Sequence, residues 1–355
     1  MTTADARIPE IPGIGDAHPS RAGSVLSVLV SRMLPIRVGQ IAAWEIAIVA
    51  AALTFQAFSF TGRFASTLVA VLVVGTTSVR VAGRHFAGWT LTWLGYRLLR
   101  HEDRKLATDP LLGLAPDLRL RQHTDRAGHR FGLAGVGDGW TAVVRVHGDP
   151  DPRALLGVVR GVCEAGEIPL AAAQLAIRAG CAERVTLLAV RFRAADAPLA
   201  ALCRGTGELG QFRATTRAAL DVVGALADAG CRGTVLEAGE LAAELRASLG
   251  VGARVVVADD WRSWSAGDTE QAGFAATAEA LGARARGAAF TVTSFTASRT
   301  RQGSVREAVV VREVVVRSAG LEVRPTAHDF DVPVVPLYGR HDSAVRRTLP
   351  LALPR

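Results

Sequence analysis

Two long apolar runs stand near the beginning of the chain. Residues 38–60 read VGQIAAWEIAIVAAALTFQAFSF and residues 64–79 read FASTLVAVLVVGTTSV, with the short sequence TGR between them. Crossing a bilayer core of about 30 Å takes roughly 20 apolar residues in a helix. The pattern therefore predicts a two-helix transmembrane hairpin over residues 38–80, with its turn at residues 61–63.

Glu45 is the one charged residue inside the first apolar run. An ionised carboxylate at the centre of a membrane helix costs about 2.5–3.5 kcal/mol, so such a group usually has a use. A helix-packing contact and an ion-transport site are both open. Because neither run contains a second titratable side chain, helix packing is the favoured interpretation.

Basic residues lie outside the predicted hairpin rather than in its turn, which holds only Arg63. They are Arg21, Arg32 and Arg37 before it and Arg80, Arg84, Arg97, Arg100, Arg104 and Lys105 after it. By the positive-inside rule, both termini and the main domain are expected to be cytoplasmic, with two spans in the plasma (inner) membrane. No small-residue cleavage site follows the first run, so a cleaved signal peptide is not expected.

Aromatic residues recur at helical spacing after the second run and lead into a basic cluster. The set expected at the lipid headgroups is Trp89, Trp93, Tyr96, Arg97, Arg100, Arg104 and Lys105. Aromatic rings followed by arginines are typical of a helix that leaves a bilayer through its anionic headgroup layer. Dimerisation through the aromatic stripe is the competing interpretation.

The rest of the chain alternates between strand-like and helix-like patterns. Residues 1–37 are expected to form an N-terminal segment, residues 81–130 a basic helix and a linker broken by prolines, and residues 131–355 a folded domain. Strands are predicted at 139–146, 168–176, 184–192, 254–258, 288–297 and 305–317, and helices at 152–165, 211–229 and 238–249. Adjacent strands mixed with strands separated by helices indicate an α+β (mixed α/β) cytoplasmic domain.

Composition narrows the classes of function. The net charge is +8, and residues 1–105 carry 11 basic and 6 acidic side chains, leaving only +3 for the rest of the chain. This placement favours anionic membrane lipids as a partner and argues against nucleic acid. Lys105 is the only lysine, so a lysine-containing phosphate-binding loop and a Schiff-base site in the large domain are excluded.

Cysteine spacing points to free thiols. Cys163, Cys181, Cys203 and Cys231 form no Cys-x-x-Cys pair. Buried thiols in a reducing compartment are the simplest interpretation.

Three short motifs are candidates for chemistry. Gly205-Thr-Gly-Glu-Leu-Gly210 matches a dinucleotide fingerprint but does not follow a strand, so no cofactor is expected there. Asp329 and Asp331 have the Asp-x-Asp spacing of divalent-metal sites in sugar-nucleotide transferases, with His328 and His341 as possible neighbours. Asp149 and Asp151 have the same spacing but open a helix, where aspartates cap free amides. His123 and His129 are expected to be solvated in the linker.

Read in order, several stretches resemble EccE, a membrane component of the type VII (ESX) secretion core complex. They are the paired apolar runs, the exit from Trp89 to Arg104, the sequence GVGDGWTAVV beginning at Gly135, Asp260-Trp261-Arg-Ser-Trp264 before Phe274, and Pro336-Leu-Tyr-Gly-Arg340 with Ala344 to Leu351. The resemblance implies a non-catalytic subunit that assembles with EccB, EccC and EccD, the motor being the EccC ATPase. It carries over no catalytic residue.

The sequence thus predicts a structural subunit of a secretion complex rather than an enzyme. Two alternatives stay open at this stage. One is a membrane-tethered transferase that uses Asp329 and Asp331 with a divalent metal, and the other is a peripheral lipid sensor that uses the basic cluster of residues 97–105.

Overall fold

A computed structural model describes most of the chain. The described residues are 44–46, 48–49, 52, 60–78, 80–81, 84–99, 105–181, 183–300, 302–317 and 327–354. The chain divides into two compact units, Met1–Trp89 and Thr90–Arg355.

The first unit contains helix α1 (Phe60–Ser78) and two short strands, β1 (Arg80–Val81) and β2 (Arg84–His85), which pair in antiparallel fashion. Helix α2 (Phe86–Leu99) begins in this unit and ends in the second.

The predicted transmembrane hairpin is wrong. Within the part of the chain that the structure describes, no helix combines the length and the apolar character that crossing a bilayer requires. Residues 61–63, the predicted turn, lie inside α1. Polar residues and glycines at both ends of α1 confine its uninterrupted apolar stretch to Leu68–Val74, roughly 10 Å of helix. Most of the first apolar run lies outside the described residues.

The second unit is built around a large sheet, with helices between its strands. In chain order its elements are β3 (Lys105–Ala107), α3 (Pro110–Leu114), β4 (Arg119–Thr124), β5 (Arg130–Val136), β6 (Gly139–His147), α4 (Pro152–Ala165), β7 (Ala172–Gly180), β8 (Arg184–Arg193), α5 (Pro198–Leu202), α6 (Gly207–Asp228), β9 (Arg232–Val235), α7 (Ala238–Leu249), β10 (Val255–Asp259), β11 (Trp264–Ala266), β12 (Thr269–Ala276), β13 (Phe290–Arg299), β14 (Val305–Val316), β15 (Val335–Pro336) and α8 (His341–Thr348). Short 3-10 helices occur at Ala278–Ala280 and Ala327–Asp329.

The strands follow the spatial order β3-β10-β11-β12-β14-β13-β7-β8-β6-β5-β4, with β15 added on β12 and β9 on β6. Every strand pair that the described residues form is antiparallel. The mixed α/β interpretation would require parallel pairs, so the domain is instead a largely antiparallel sheet with helices.

Helices cover the central strands on both faces, and this explains their continuous apolar sequences. Leu175 and Ile177 of β7 pack with α4 and α6 on one face. Ala172 and Ala176 of the same strand belong to the core on the other face, together with residues of α3, α7 and α8. A strand buried on both faces loses the alternation of apolar and polar residues.

Local signals fix the ends of the main helices. Asp151 precedes α4 and accepts a hydrogen bond from the backbone N–H of Arg153, with Pro152 at the first helical position. Glu237 and Glu240 form a capping box at the start of α7, and Gly250 ends that helix in the left-handed conformation.

All six predicted strands and all three predicted helices of the large domain correspond to observed elements. Strands β3, β4, β5, β9, β11, β12 and β15 of this domain were not predicted. Residues 105–130, interpreted as part of a linker, contain β3, α3 and β4. His123 consequently lies half-buried in β4 with its ring 6.1 Å from that of Phe212, whereas His129 is exposed and lies 3.0 Å from the Asp125 carboxylate.

A buried arginine closes the end of α7. Arg312 of β14 is fully buried, donates to Gln271 Oε1 at 2.6 Å and also donates to the backbone carbonyl of Ser248. Gln271 Nε2 donates to the carbonyl of Leu249 at 2.9 Å. The last carbonyls of a helix have no partner inside the helix, so these two side chains satisfy them where water is excluded.

The segment after α8 is tied to the middle of the sheet by side chains of two strands. Gln174 of β7 donates to the carbonyl of Arg347 at 2.8 Å and to Ser294 Oγ at 2.7 Å, and accepts from the N–H of Ala352 at 2.6 Å. Thr141 Oγ1 of β6 donates to the carbonyl of Leu351 at 2.9 Å. The sheet interior therefore holds a stretch that was quoted above only for its family likeness.

Substitution of Gln174 by Leu tests how much this attachment stabilises the domain. The variant leaves the buried N–H of Ala352 and the carbonyl of Arg347 without that partner, so we expect the free energy of unfolding in urea to fall by about 1–3 kcal/mol. The matched control is Gln302→Leu, since Gln302 is exposed. Equal loss in the two variants would contradict the proposed contribution of the attachment.

Candidate functional site

An aromatic cluster centred on Trp261 joins several elements of the second unit. Trp261 lies in the turn between β10 and β11, which is closed by a hydrogen bond from the N–H of Asp260 to the carbonyl of Ser263 at 2.8 Å. The Asp260 carboxylate also accepts from the N–H of Trp261 at 2.6 Å. The indole stacks on Tyr338 with ring centroids 6.0 Å apart, and Tyr96 meets it edge-on at 5.4 Å.

The cluster holds the second half of α2. Tyr96 Oη donates to the carbonyl of Asp259 and lies equally close, at 3.4 Å, to Asp260 Oδ1. Arg340 Nη2 donates to Thr92 Oγ1 at 3.2 Å. Since Thr92 and Tyr96 are one helical turn apart, both contacts fix the same face of the helix.

Gly339 allows the chain to pass close over the indole ring. Its φ of +65° is in the left-handed region, and its N–H donates to the carbonyl of Trp261 at 2.8 Å. A Cβ at this position would lie 2.7 Å from the ring of Trp261. Glycine is therefore required here both for backbone conformation and for space.

His341 fastens this chain segment to the sheet. The imidazole is fully buried, accepts at Nδ1 from the N–H of Gly273 at 3.0 Å, and lies with Nε2 3.2 Å from the carbonyl of Trp261. A ring that accepts at Nδ1 and faces a carbonyl at Nε2 carries its proton on Nε2 and is neutral. Burial lowers the pKa of His341 to about 4.

The structure thus brings together three stretches that are far apart in the sequence: Tyr96 of the aromatic exit, Asp260-Trp261, and Tyr338-Gly339-Arg340. The first was predicted to meet lipid headgroups and the other two were quoted for a family likeness. His341, considered as a neighbour of a metal site, is instead part of this cluster.

The structure describes only some of the other residues that were predicted to contact lipid. Trp93 is 46% exposed, and the guanidinium of Arg97 lies 5.4 Å from the centroid of its ring. Trp89 is half-buried. Arg100 and Arg104 lie outside the described residues, and of Lys105 only the backbone, in β3, is described. Tyr96 packs against Trp261, whereas Trp93 packs against Arg97, so the aromatic residues of α2 do not form a single contact surface.

Glu45 lies among residues 44–46, which are helical, and its side chain is exposed. Its helix-packing role stays a prediction.

The two aspartates of the predicted metal motif do not gather further ligands. Asp331 is exposed and pairs with Arg286 at 2.9 Å. Asp329 ends a 3-10 helix, and its carbonyl accepts from the N–H of Arg286 at 3.0 Å. Within the described parts of the chain, no three His, Cys, Asp or Glu side chains come together as a metal-binding group. The geometry gives the transferase alternative no support.

Glu313 is a buried carboxyl group that sequence reasoning missed, and the charge of Asp329 acts on it. It is 1% exposed, and its Oε2 has no hydrogen-bond partner. Burial, with a smaller contribution from the charge of Asp329, raises the pKa of Glu313 to about 8. The available signal was a pair of charged residues, Arg312 and Glu313, within the otherwise apolar sequence VREVVV.

The glycine motif at 205–210 is a tight connection between helices. It joins α5 to α6, and a Cβ on Gly210 would collide with the carbonyl oxygens of Ala201 and Gly205. Close packing of the two helices accounts for the glycine there. The other Asp-x-Asp motif is structural as well, because Asp149 pairs with Arg184 at 2.7 Å and Asp151 caps α4.

All four cysteines have free thiols. Cys163 is buried, but Cys181 and Cys203 are exposed and Cys231 is half-buried, so the expectation of buried thiols is correct for Cys163 alone.

Comparison with known families identifies one match. Residues 181–276 match the family model described as "Putative type VII ESX secretion system translocon, EccE". The matched region runs from just before β8 to the end of β12 and includes the Trp261 turn. The match confirms the resemblance to EccE on these residues. No curated protein matches the chain.

Acidification is expected to weaken the contribution of His341 to stability. Its folded-state pKa of about 4 lies below the unfolded value of about 6.5, so the unfolded chain binds more protons in between and stability falls as pH falls through this window. Replacing His341 with Gln removes this dependence. We expect the difference in unfolding free energy between wild type and H341Q to shrink by roughly 3 kcal/mol at most between pH 6.5 and 4.

The difference between variants is the quantity to measure, because the raised pKa of Glu313 gives the opposite slope between about pH 4.5 and 8. Urea unfolding at several pH values provides it, with His147→Gln as the control at an exposed histidine that contacts the Thr234 hydroxyl. A difference that does not change with pH would show that His341 does not titrate in this way.

Proposed function

We propose that this protein is a non-catalytic structural subunit of a type VII (ESX) secretion complex. The family match on residues 181–276 carries the proposal. The matched region includes the Trp261 turn, whose contacts serve to hold α2 against the domain. An assembly subunit needs contacts that attach one element to another rather than a reactive site.

The chemistry of the cluster supports a binding role. Its polar groups are used within the fold: His341 bonds with Gly273 and Trp261, and Asp260 with the N–H of Trp261. The neutral, buried His341 is not poised as a general base near neutral pH, because its pKa is about 4. In the described residues, no nucleophile, base and orienting group were found together in this cluster.

The expected partners are other membrane subunits of the core complex, of the EccB, EccC and EccD types. The motor is proposed to lie in a separate subunit, since Lys105, the only lysine, opens strand β3 and does not belong to a phosphate-binding loop. In this proposal the domain lies on the cytoplasmic side of the plasma membrane, and the Trp261 cluster holds the second half of α2 against the domain.

The exposed side of α2 is proposed to contact anionic lipid headgroups. Leu94 is 46% and Leu98 is 66% exposed, on the helix that also carries Trp93 and Arg97. Apolar and aromatic side chains beside a guanidinium suit the boundary between headgroups and acyl chains. Arg100, Arg104 and Lys105 follow in sequence and add positive charge.

Co-purification tests the assembly role. The tagged full chain, extracted from native membranes with detergent, is expected to bring the other core subunits with it. Trp261→Ala removes the ring between Tyr96 and Tyr338, so we expect the recovery of those subunits to fall several-fold while the chain remains folded by circular dichroism. The control is Leu199→Ala, at an exposed residue of α5 outside both the cluster and the proposed lipid contact. Absence of core subunits from the wild-type preparation would refute the assembly role.

Vesicle flotation tests the lipid contact separately. The full chain is expected to float with phosphatidylglycerol vesicles more than with phosphatidylcholine vesicles, and Arg97→Gln to weaken the former by about fivefold, since each basic residue at an anionic surface contributes about 1 kcal/mol. Arg153→Gln, at an exposed arginine of α4, is the control. Equal binding of both vesicle types would reject the lipid contact.

A further inference from the structure

Strand β4 is an open edge of the large sheet. It is the last strand in the sheet order and pairs only with β5 among the described residues. Its six residues, Arg119–Thr124, extend for about 20 Å at 3.3 Å per residue. An edge of this length presents a row of backbone groups to which another strand can add.

The register of β4 on β5 shows which backbone groups face outwards. Asp125 donates its N–H to the carbonyl of His129 at 3.0 Å, directly beyond the paired residues Thr124 and Arg130. Bonded and non-bonded pairs alternate along an antiparallel ladder, so Arg119, Arg121 and His123 bond towards β5. The N–H and carbonyl groups of Leu120, Gln122 and Thr124 point to the outer edge.

The charge of the edge is positive. Arg119 and Arg121 are the charged residues of β4 and lie two apart, on the same face of the strand. Arg119 lies 3.5 Å from Glu208 and over the ring of Trp140. Arg121 is exposed and forms no salt bridge with any described residue.

Glu208 offsets the charge of Arg119, which leaves Arg121 as the arginine of β4 without a carboxylate partner among the described residues. Asp125 lies against His129, and Glu237 lies 3.4 Å from Arg130. The remaining acidic residue close in sequence, Asp117, precedes the strand.

Two helices begin beside β4, one on each face. The first turns of α6 meet Arg119 through Glu208 and His123 through Phe212. On the other face, the N–H of Ala238 at the start of α7 donates to Gln122 Oε1 at 2.9 Å. Glu208 in the first turn of α6, and Glu237 and Glu240 at the start of α7, already place carboxylates at the positive ends of both helix dipoles. The attraction for negative charge at the edge therefore comes from Arg121.

We propose that the β4 edge binds an extended, acidic segment of a partner protein, which adds to the sheet as a further antiparallel strand. Backbone groups of Leu120, Gln122 and Thr124 supply the hydrogen bonds, and Arg121 meets carboxylates on alternate residues of the added strand. A second copy of this chain is disfavoured, because it would bring the same arginines onto one face of the joined sheet. The inference goes beyond the proposed function and does not depend on it.

A fluorescent ten-residue peptide of alternating Glu and Val is the probe, with alternating Lys and Val as its counterpart. The full chain is expected to bind the Glu peptide, measured by fluorescence anisotropy, and to bind the Lys peptide at least about fivefold more weakly. Bound Glu peptide should slow amide hydrogen exchange at Leu120, Gln122 and Thr124, whose N–H groups face outwards.

Arg121→Glu is expected to weaken binding of the Glu peptide by about fivefold, since opposite and like charges across a strand pair differ by roughly 1 kcal/mol. Arg153→Glu makes the same charge change on α4 and should leave binding unchanged. Equal affinity for both peptides, exchange protection elsewhere in the chain, or a dimer of the peptide-free chain joined through β4 would each overturn the proposal. Core subunits that still co-purify in that case would leave the assembly role standing.

Discussion

Burial of the central strands on both faces is the constraint from which much of the domain follows. Polar side chains on such strands cannot be hydrated, so each needs a partner inside the protein. Gln174 bonds to the segment after α8, and Arg312 and Gln271 bond to the end of α7. The positions of these outer elements are therefore set by hydrogen bonds as well as by apolar packing.

Buried polar groups also fix the Trp261 cluster, through hydrogen bonds to the backbone. His341 reaches both Gly273 in the sheet and the carbonyl of Trp261, and Gly339 lets the chain approach the indole. The rings then offer flat faces and edges to Tyr96. This arrangement suits attachment of a helix. Trp261, at its centre, lies within residues 181–276, which match the family model.

Sequence reasoning predicted the elements with strong periodicity and failed where periodicity was weak or ambiguous. The apolar runs of β6, β8 and β14 and the amphipathic pattern of α4 led directly to the observed elements. Strand β4, RLRQHT, is polar at most positions and was interpreted as linker. The membrane prediction counted the length of two apolar runs without weighing the polar ends that α1 includes.

The candidate site could be predicted only in its parts. Trp261 and Tyr338 stood out in the sequence, but their contact with each other and with Tyr96 depends on the tertiary fold. Nothing in the local pattern distinguishes His341, which is buried, from His129, which is exposed. Arg312 and Glu313 are adjacent in β14, yet Arg312 bonds to the end of α7, whereas Glu313 has a carboxylate oxygen without a hydrogen-bond partner.

The attachment of the segment after α8 also bears on the order of folding. Thr141 bonds to a residue 210 positions later in the chain, and Gln174 to one 178 positions later. Contacts of such high sequence separation close large loops and form slowly. The middle of the sheet therefore acquires its last internal partners late, and until then water must remain at Thr141 and Gln174. In a nascent chain that ends at β14, the side chains of Thr141 and Gln174 would lack Leu351 and Ala352 as partners and would be hydrated in the middle of the sheet.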